Sequence, residues 1–248
     1  MAKLEARRIA GLDSHVFVPD QEPKVVAVLC HGFGAPGDDL VPLAAQLLDG
    51  NPYLLSHLMI AVPAAPLDLG PYGLPGGRAW WPVNIEQLSR ETEQGEIEKH
   101  KPPELPEARA QVNALIDEVM QETGVPISKF VLGGFSQGSM IATDVALTRP
   151  EAPGGLIIWS GTLINRGDWE SGAERLKDLP VVQTHGRNDP ILSYSAAVQL
   201  REFLKSQGAD LNFISFHGPH TITIEGLQAA GHLCERLLDP SGDGIPSA

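Results

Sequence analysis

The sequence predicts an α/β protein whose core is a mainly parallel sheet with helices on both faces. Three observations carry that prediction. Short apolar runs recur along the chain at 24–30, 58–63, 129–135, 155–160, 180–185 and 211–216. Most of these runs are continuous rather than alternating, as expected of strands covered on both faces. Between them lie segments with apolar residues at helical spacing, and such strand–helix alternation is the pattern of parallel strands joined by crossover helices.

Taken in order, the opening "RRIAGLDSHVFVPD" supplies an antiparallel edge strand or a hairpin. After strand 24–30, "DDLVPLAAQLLDG" reads as a helix with an acidic N-cap that stops at Gly50. Strand 58–63 is followed by residues 67–105, rich in Gly and Pro and then in Glu, which match no regular pattern. A connection of that length in a compact domain is expected to be an insertion or lid. "ELPEARAQVNALIDEVMQETG" aligns Val112, Leu115, Ile116, Val119 and Met120 on one helical face and stops at Gly124. Strand 129–135 runs into a helix over 137–149. "SYSAAVQLREFLKSQG" is a further helix ending at Gly208. The last, about 222–238, spaces Ile224, Leu227, Ala230, Leu233, Cys234 and Leu237 along one side. Residues 1–240 therefore read as one domain, with 241–248 as a flexible tail.

Charge narrows the function. With 18 Lys and Arg against 31 Asp and Glu, the net charge is −13, which repels nucleic-acid phosphates and anionic lipid alike. The N-terminus lacks the apolar stretch of a signal peptide, and no apolar run is long enough to span a bilayer. Cys30 and Cys234 have no metal-type spacing and read as free buried thiols, in keeping with a cytoplasmic location.

The chemistry centres on "VLGGFSQGSM" (131–140). Its Gly-x-Ser-x-Gly places Ser136 where a buried strand meets a helix, the setting of a nucleophile elbow. A strained turn there exposes the hydroxyl at the carboxyl end of the sheet, and side chains at 134 and 138 would collide across it. A serine nucleophile needs a base, and the base needs an orienting carboxylate. On this motif they should follow in the order Ser, Asp, His, on loops after later strands. "PVVQTHGRNDPIL" offers Asp189, with Asp168 and Asp178 as other carboxylates in reach of the order. "LNFISFHGPHTI" offers His217 and His220. His220 is favoured, because His217 still closes the strand; His185 precedes Asp189 and is out of order. A His217–His220 metal pair lacks helical i, i+4 geometry and a third ligand. His15, His57, His100 and His232 read as surface or packing residues. An oxyanion hole would take the N–H of Gln137, at the helix start, and that of Phe33 in "LCHGFGAPGDD".

With these residues assembled, the chain resembles the phospholipase/carboxylesterase family of α/β-hydrolases, which includes the acyl-protein thioesterases. The resemblance rests on "HGFGAPGDD", "PAAP", "GGRAWW", "GFSQGSM", "HGRNDPIL" and "GPHTITIE", in that order between Lys24 and Leu238. It implies an α/β-hydrolase fold and a serine esterase with Ser136, Asp189 and His220 as triad and Phe33 and Gln137 as oxyanion donors. It implies no metal or organic cofactor, a small-molecule ester as substrate, and a monomer or homodimer. Where relatives commonly carry Trp, an aromatic and Asp, this chain has Trp80-Trp81-Pro82, followed by a longer, more acidic segment. Trp80, Trp81 and Leu192 are the candidate pocket residues. The expected substrates are short- to medium-chain neutral esters. The alternatives are an acyl-protein thioesterase, a lysophospholipase, or a hydrolase-fold protein that binds a ligand without turning it over.

Overall fold

The apolar runs form the strands expected of them. The computed structural model describes residues 2–239; the tail expected over 241–248 lies outside them. The elements run β1 (Lys3–Ile9), β2 (Leu12–Val18), β3 (Val25–Cys30), α1 (Val41–Leu48), α2 (Pro52–His57) and β4 (Leu58–Pro63). The 67–105 segment follows, with β5 (Leu67–Asp68), β6 (Arg78–Ala79) and α3 (Ile85–Glu93). The rest is α4 (Leu105–Thr123), β7 (Phe130–Phe135), α5 (Gln137–Thr148), β8 (Gly155–Trp159), α6 (Arg166–Ser171), β9 (Pro180–Gly186), α7 (Tyr194–Ser206), β10 (Asp210–Phe216) and α8 (Ile224–Leu238).

Among the described residues, eight strands form one sheet in the order β1-β2-β4-β3-β7-β8-β9-β10. The run from β4 to β10 is parallel, while β1 and β2 form an antiparallel hairpin that pairs with β4 at one edge. The period-2 alternation of a strand divides the core in two. Val26, Val28 and Cys30 of β3 face a core built with α4 and α5. Val25, Ala27 and Leu29 face the opposite core, closed by α1 and α8. Both faces are therefore covered, which is why these strands carry no polar alternation. β5 and β6 make a separate two-stranded ribbon in the insertion.

Local rules explain the boundaries. α4 ends where Gly124 takes φ 70°, a left-handed conformation that removes the Cβ penalty at a helix end. α1 departs from expectation. It starts at Val41 without a side-chain cap, and Asp38 and Asp39 sit in the preceding turn. Pro42 explains the shift, since its missing N–H and fixed φ suit the first helical turn. Periodicity signals neither α2 nor α6, which are too short to show it. The α2 start is set by Asn51, whose side chain accepts from the N–H groups of Tyr53 and Leu54. Cys30 and Cys234 are free and buried, and burial pushes the Cys234 thiol up to about 12. No helix among the described residues is long and apolar enough to cross a membrane.

Candidate active site

Ser136 stands at the junction of β7 and α5 with φ 53° and ψ −120°. This backbone region is one that side chains other than Gly rarely enter, at a cost of about 1–3 kcal/mol. The surroundings hold it there. The Ser136 N–H donates to the Trp159 carbonyl at 2.9 Å, and its carbonyl accepts from the Ser139 N–H at 3.0 Å and the Ser139 hydroxyl at 2.7 Å. The flanking glycines are required by close approach. A Cβ on Gly134 would strike the Cys30 carbonyl oxygen and lie 2.7 Å from the Gly138 carbonyl carbon; one on Gly138 would also strike the Cys30 carbonyl. The elbow thus leans directly on the end of β3.

Asp189 follows β9, and His220 follows β10. The Asp189 carboxylate is fully buried and receives His220 Nδ1 on Oδ2 at 2.6 Å. Its Oδ1 accepts from the N–H groups of Ile191 at 2.8 Å and Leu192 at 2.9 Å. Burial alone would raise the Asp189 pKa, but the hydrogen bonds from His220 and the backbone outweigh it and leave the carboxyl below its ordinary value. The His220 ring packs against Phe135, beside Ser136, with centroids 4.6 Å apart. His217 is exposed in the bend just after β10 rather than closing the strand, and among the described residues no third potential ligand joins it and His220 in a metal-binding group. Asp168 is held by Lys101 and Asn165, while Asp178 precedes β9 at the opposite end of the sheet.

His185 and His31 are structural supports of this site. His185 is buried, and its Nε2–H donates to the Leu192 carbonyl at 2.9 Å while lying 3.3 Å from Asp189 Oδ2. Burial lowers its pKa, and its Nδ1 has no hydrogen-bond partner, as suits a neutral ring. His31 Nε2 accepts the Ala65 N–H at 3.0 Å, so its proton sits on Nδ1, which donates to the Gly32 carbonyl at 2.8 Å. Burial lowers the His31 pKa as well. The neutral ring thereby braces the loop carrying Phe33 against the end of β4. That loop is also tied to β6, with the Gly34 N–H on the Arg78 carbonyl at 2.9 Å.

Gln137 opens α5, so its N–H is one of the first-turn donors that lack a helical acceptor. Its side chain makes two further bonds. Oε1 accepts from the Trp80 N–H at 3.0 Å, and Nε2 donates to the Trp81 carbonyl at 2.9 Å. The insertion is pinned to the elbow by this amide.

Ser136, His220, Phe33 and Gln137 line one cavity of about 180 Å³. Its other walls are mostly apolar: Trp81, Val83, Leu88, Met140, Ile191 and Leu192. Trp81 and Leu192 are therefore brought to the cavity, whereas Trp80 is not. Its indole N–H donates to the His31 carbonyl at 2.9 Å, behind the loop. Both indoles are buried, but only Trp81 faces the cavity. Sequence reasoning missed Val83, Leu88, Met140 and His100, all of which line it. Met140 was within reach, one helical turn after Ser136. The other three lie in the insertion, where no period signals which residues face inward.

Comparisons with known proteins bear on the family and the fold. Residues 12–237 match the family model described as phospholipase/carboxylesterase. An acyl-protein thioesterase 1 of Kluyveromyces lactis is 28% identical over 214 residues, 84% of this chain and 90% of its own. One from Cryptococcus neoformans is 27% identical over 197 residues, 75% of each chain. Among solved structures, esterase PE8 superposes with a TM-score of 0.74 at 25% identity, covering 95% of this chain and 99% of its own. Arabidopsis thaliana SOBER1 shares the fold with a TM-score of 0.68 at 24% identity, over 87% and 99%. An α/β-hydrolase sheet, an elbow on its carboxyl side and a match spanning nearly every element place this chain in the phospholipase/carboxylesterase family of hydrolases.

Proposed function

We propose that the protein is a serine hydrolase of carboxylic esters that works through an acyl-enzyme. The observation that carries this reading is that His220, paired at 2.6 Å with buried Asp189, lines the same cavity as strained Ser136. Ser136 Oγ attacks the ester carbonyl while His220 Nε2 takes its proton. Asp189 keeps the other ring nitrogen protonated and stabilises the imidazolium. The oxyanion gathers against the N–H groups of Phe33 and Gln137, each donor lowering the barrier by about 3 kcal/mol. His220 returns the proton to the leaving alcohol oxygen. A water then gives a proton to His220 and its oxygen to the acyl carbon; the bond from that carbon to Ser136 Oγ breaks, His220 returns the proton to Oγ, and the acid leaves.

The cavity walls favour a short- to medium-chain neutral acyl group, with Trp81 and Leu192 in contact with it. A cavity of about 150 Å³ accommodates benzene, so 180 Å³ suits an acyl chain of roughly six carbons. The insertion beside it carries Glu86, Glu91, Glu96, Glu98 and Glu104, which disfavours anionic head groups. Trp80 acts from behind, holding the loop.

The test is the initial rate on p-nitrophenyl butyrate at neutral pH, for wild type beside Ser136→Ala. A fall of at least ~10⁴ is expected. A wild-type rate no greater than the variant's would favour the ligand-binding alternative. A second reading, thioester hydrolysis, is supported by the relatives named acyl-protein thioesterases, which align over most of this chain. Comparing kcat/KM for matched butyryl oxyester and thioester decides between the two.

A further inference from the structure

Two cavities meet at one wall. The first is the 180 Å³ chamber over Ser136. The second, about 730 Å³ and more open, is bounded by polar side chains of the insertion, among them Asn84, Gln87, Glu91, Glu96 and Lys101. Val83 and His100 line both.

His100 is fixed from three directions. Its Nδ1 lies 2.7 Å from Glu91 Oε2 on α3, and the other oxygen of Glu91 accepts from Gln87 Nε2 at 2.7 Å. The His100 N–H donates to the Ile97 carbonyl at 3.0 Å, and its own carbonyl accepts the Asn165 N–H at 2.8 Å. An imidazole held this way acts as a wall.

We infer that His100, with Val83 beside it, ends the acyl pocket and sets the longest chain the enzyme accepts; this rests on the ester-hydrolase reading. Up to the wall, an acyl chain is covered by Trp81, Leu88 and Met140, and each buried methylene raises kcat/KM roughly fourfold. At the wall, the next methylene meets the His100 ring, which is partly exposed, and would strip water from it without offering a hydrogen bond. Removing the ring joins the chamber to the outer cavity and provides room for further carbons.

The experiment measures kcat/KM for p-nitrophenyl butyrate, hexanoate, octanoate and decanoate below their micellar concentrations. Wild type should peak near hexanoate and fall beyond it. His100→Ala should raise the decanoate-to-butyrate ratio by at least tenfold, since two more covered methylenes at about fourfold each exceed that. His100→Phe, which keeps the wall filled, should retain the wild-type ratio. If His100→Ala does not fold, Val83→Ala on the same wall should move the ratio in the same direction. A ratio within twofold of wild type in the alanine variants, or a wild type that already favours decanoate, overturns the gate. A wild type that cleaves none of the esters, like Ser136→Ala, overturns the hydrolase reading and the gate with it.

Discussion

Replacing Asp189 by Asn tests how the dyad works, and the structure dictates which way the new amide must face. Oδ1 of Asp189 sits between two backbone donors, Ile191 N–H at 2.8 Å and Leu192 N–H at 2.9 Å. An NH₂ group there would oppose two N–H groups, so the amide oxygen must occupy that side. The NH₂ then faces His220 Nδ1 across the 2.6 Å contact. It donates where the carboxylate accepted, and His220 must put its single proton on Nε2, the nitrogen that should receive the proton of Ser136. The base is lost without any loss of shape. By analogy with triad enzymes, turnover should fall by up to ~10⁴, about 5.5 kcal/mol at 1.36 kcal/mol per decade. The two backbone hydrogen bonds survive, so KM should stay within a few-fold. The assay is steady-state hydrolysis of p-nitrophenyl butyrate, with circular dichroism to verify folding. A folded Asp189→Asn enzyme retaining a tenth of wild-type kcat would refute the tautomer argument and send the search to another carboxylate.

Two further outcomes follow from the supports of the site. Gln137→Ala should strip the Trp80 N–H and the Trp81 carbonyl of their partners; leaving a buried polar group unpaired costs about 1–3 kcal/mol. The urea midpoint should drop accordingly, and an unchanged midpoint would mean that the insertion is not anchored through this side chain. Stability should also fall in mild acid. Burial lowers the pKa of His31 and His185 below the unfolded value, so the unfolded chain takes up their protons first as pH drops. Stability should be level above about pH 7 and decline below about pH 6.5, by up to ~1.4 kcal/mol per unit for each histidine. Asp189, depressed in the native state, adds its own loss only in stronger acid, as pH drops through the carboxylate range. Urea titrations between pH 8 and pH 5 with a constant midpoint would contradict the neutral, buried assignment of both rings.

Much of this is legible in the sequence because it depends on local or periodic constraints. A strand buried on both faces is mostly apolar, so β3, β4, β7 and β8 declare themselves, and β9 does through Val181 and Val182 although it also buries Gln183, Thr184 and His185. The elbow needs glycine on both sides of Ser136; chain order sets His185 aside, and the place of His217 at the strand end favours His220. The insertion is opaque for the opposite reason. α3 (IEQLSRETE) has only two apolar residues, Ile85 and Leu88, too few to mark a helix beside a Gly- and Pro-rich stretch, so the sequence shows neither the helix nor that Leu88 lines the cavity. In sequence His100 reads as a surface or packing residue; its place in the cavity wall depends on Glu91 and Asn165, which nothing in the local sequence connects to it. The acidic cap expected on α1 is absent because Pro42 and the turn before it decide where that helix begins.

The central claim is that Ser136 is a nucleophile activated by His220, and covalent labelling tests it most directly. The purified protein would be treated with a fluorophosphonate, which adds to an activated serine hydroxyl, and its peptides mapped by mass spectrometry. One phosphonyl group per chain is expected, on the peptide containing Ser136, absent in Ser136→Ala and slowed at least ~1000-fold in His220→Ala. A folded wild-type protein that takes up no label, or takes it up equally without His220, would contradict the claim.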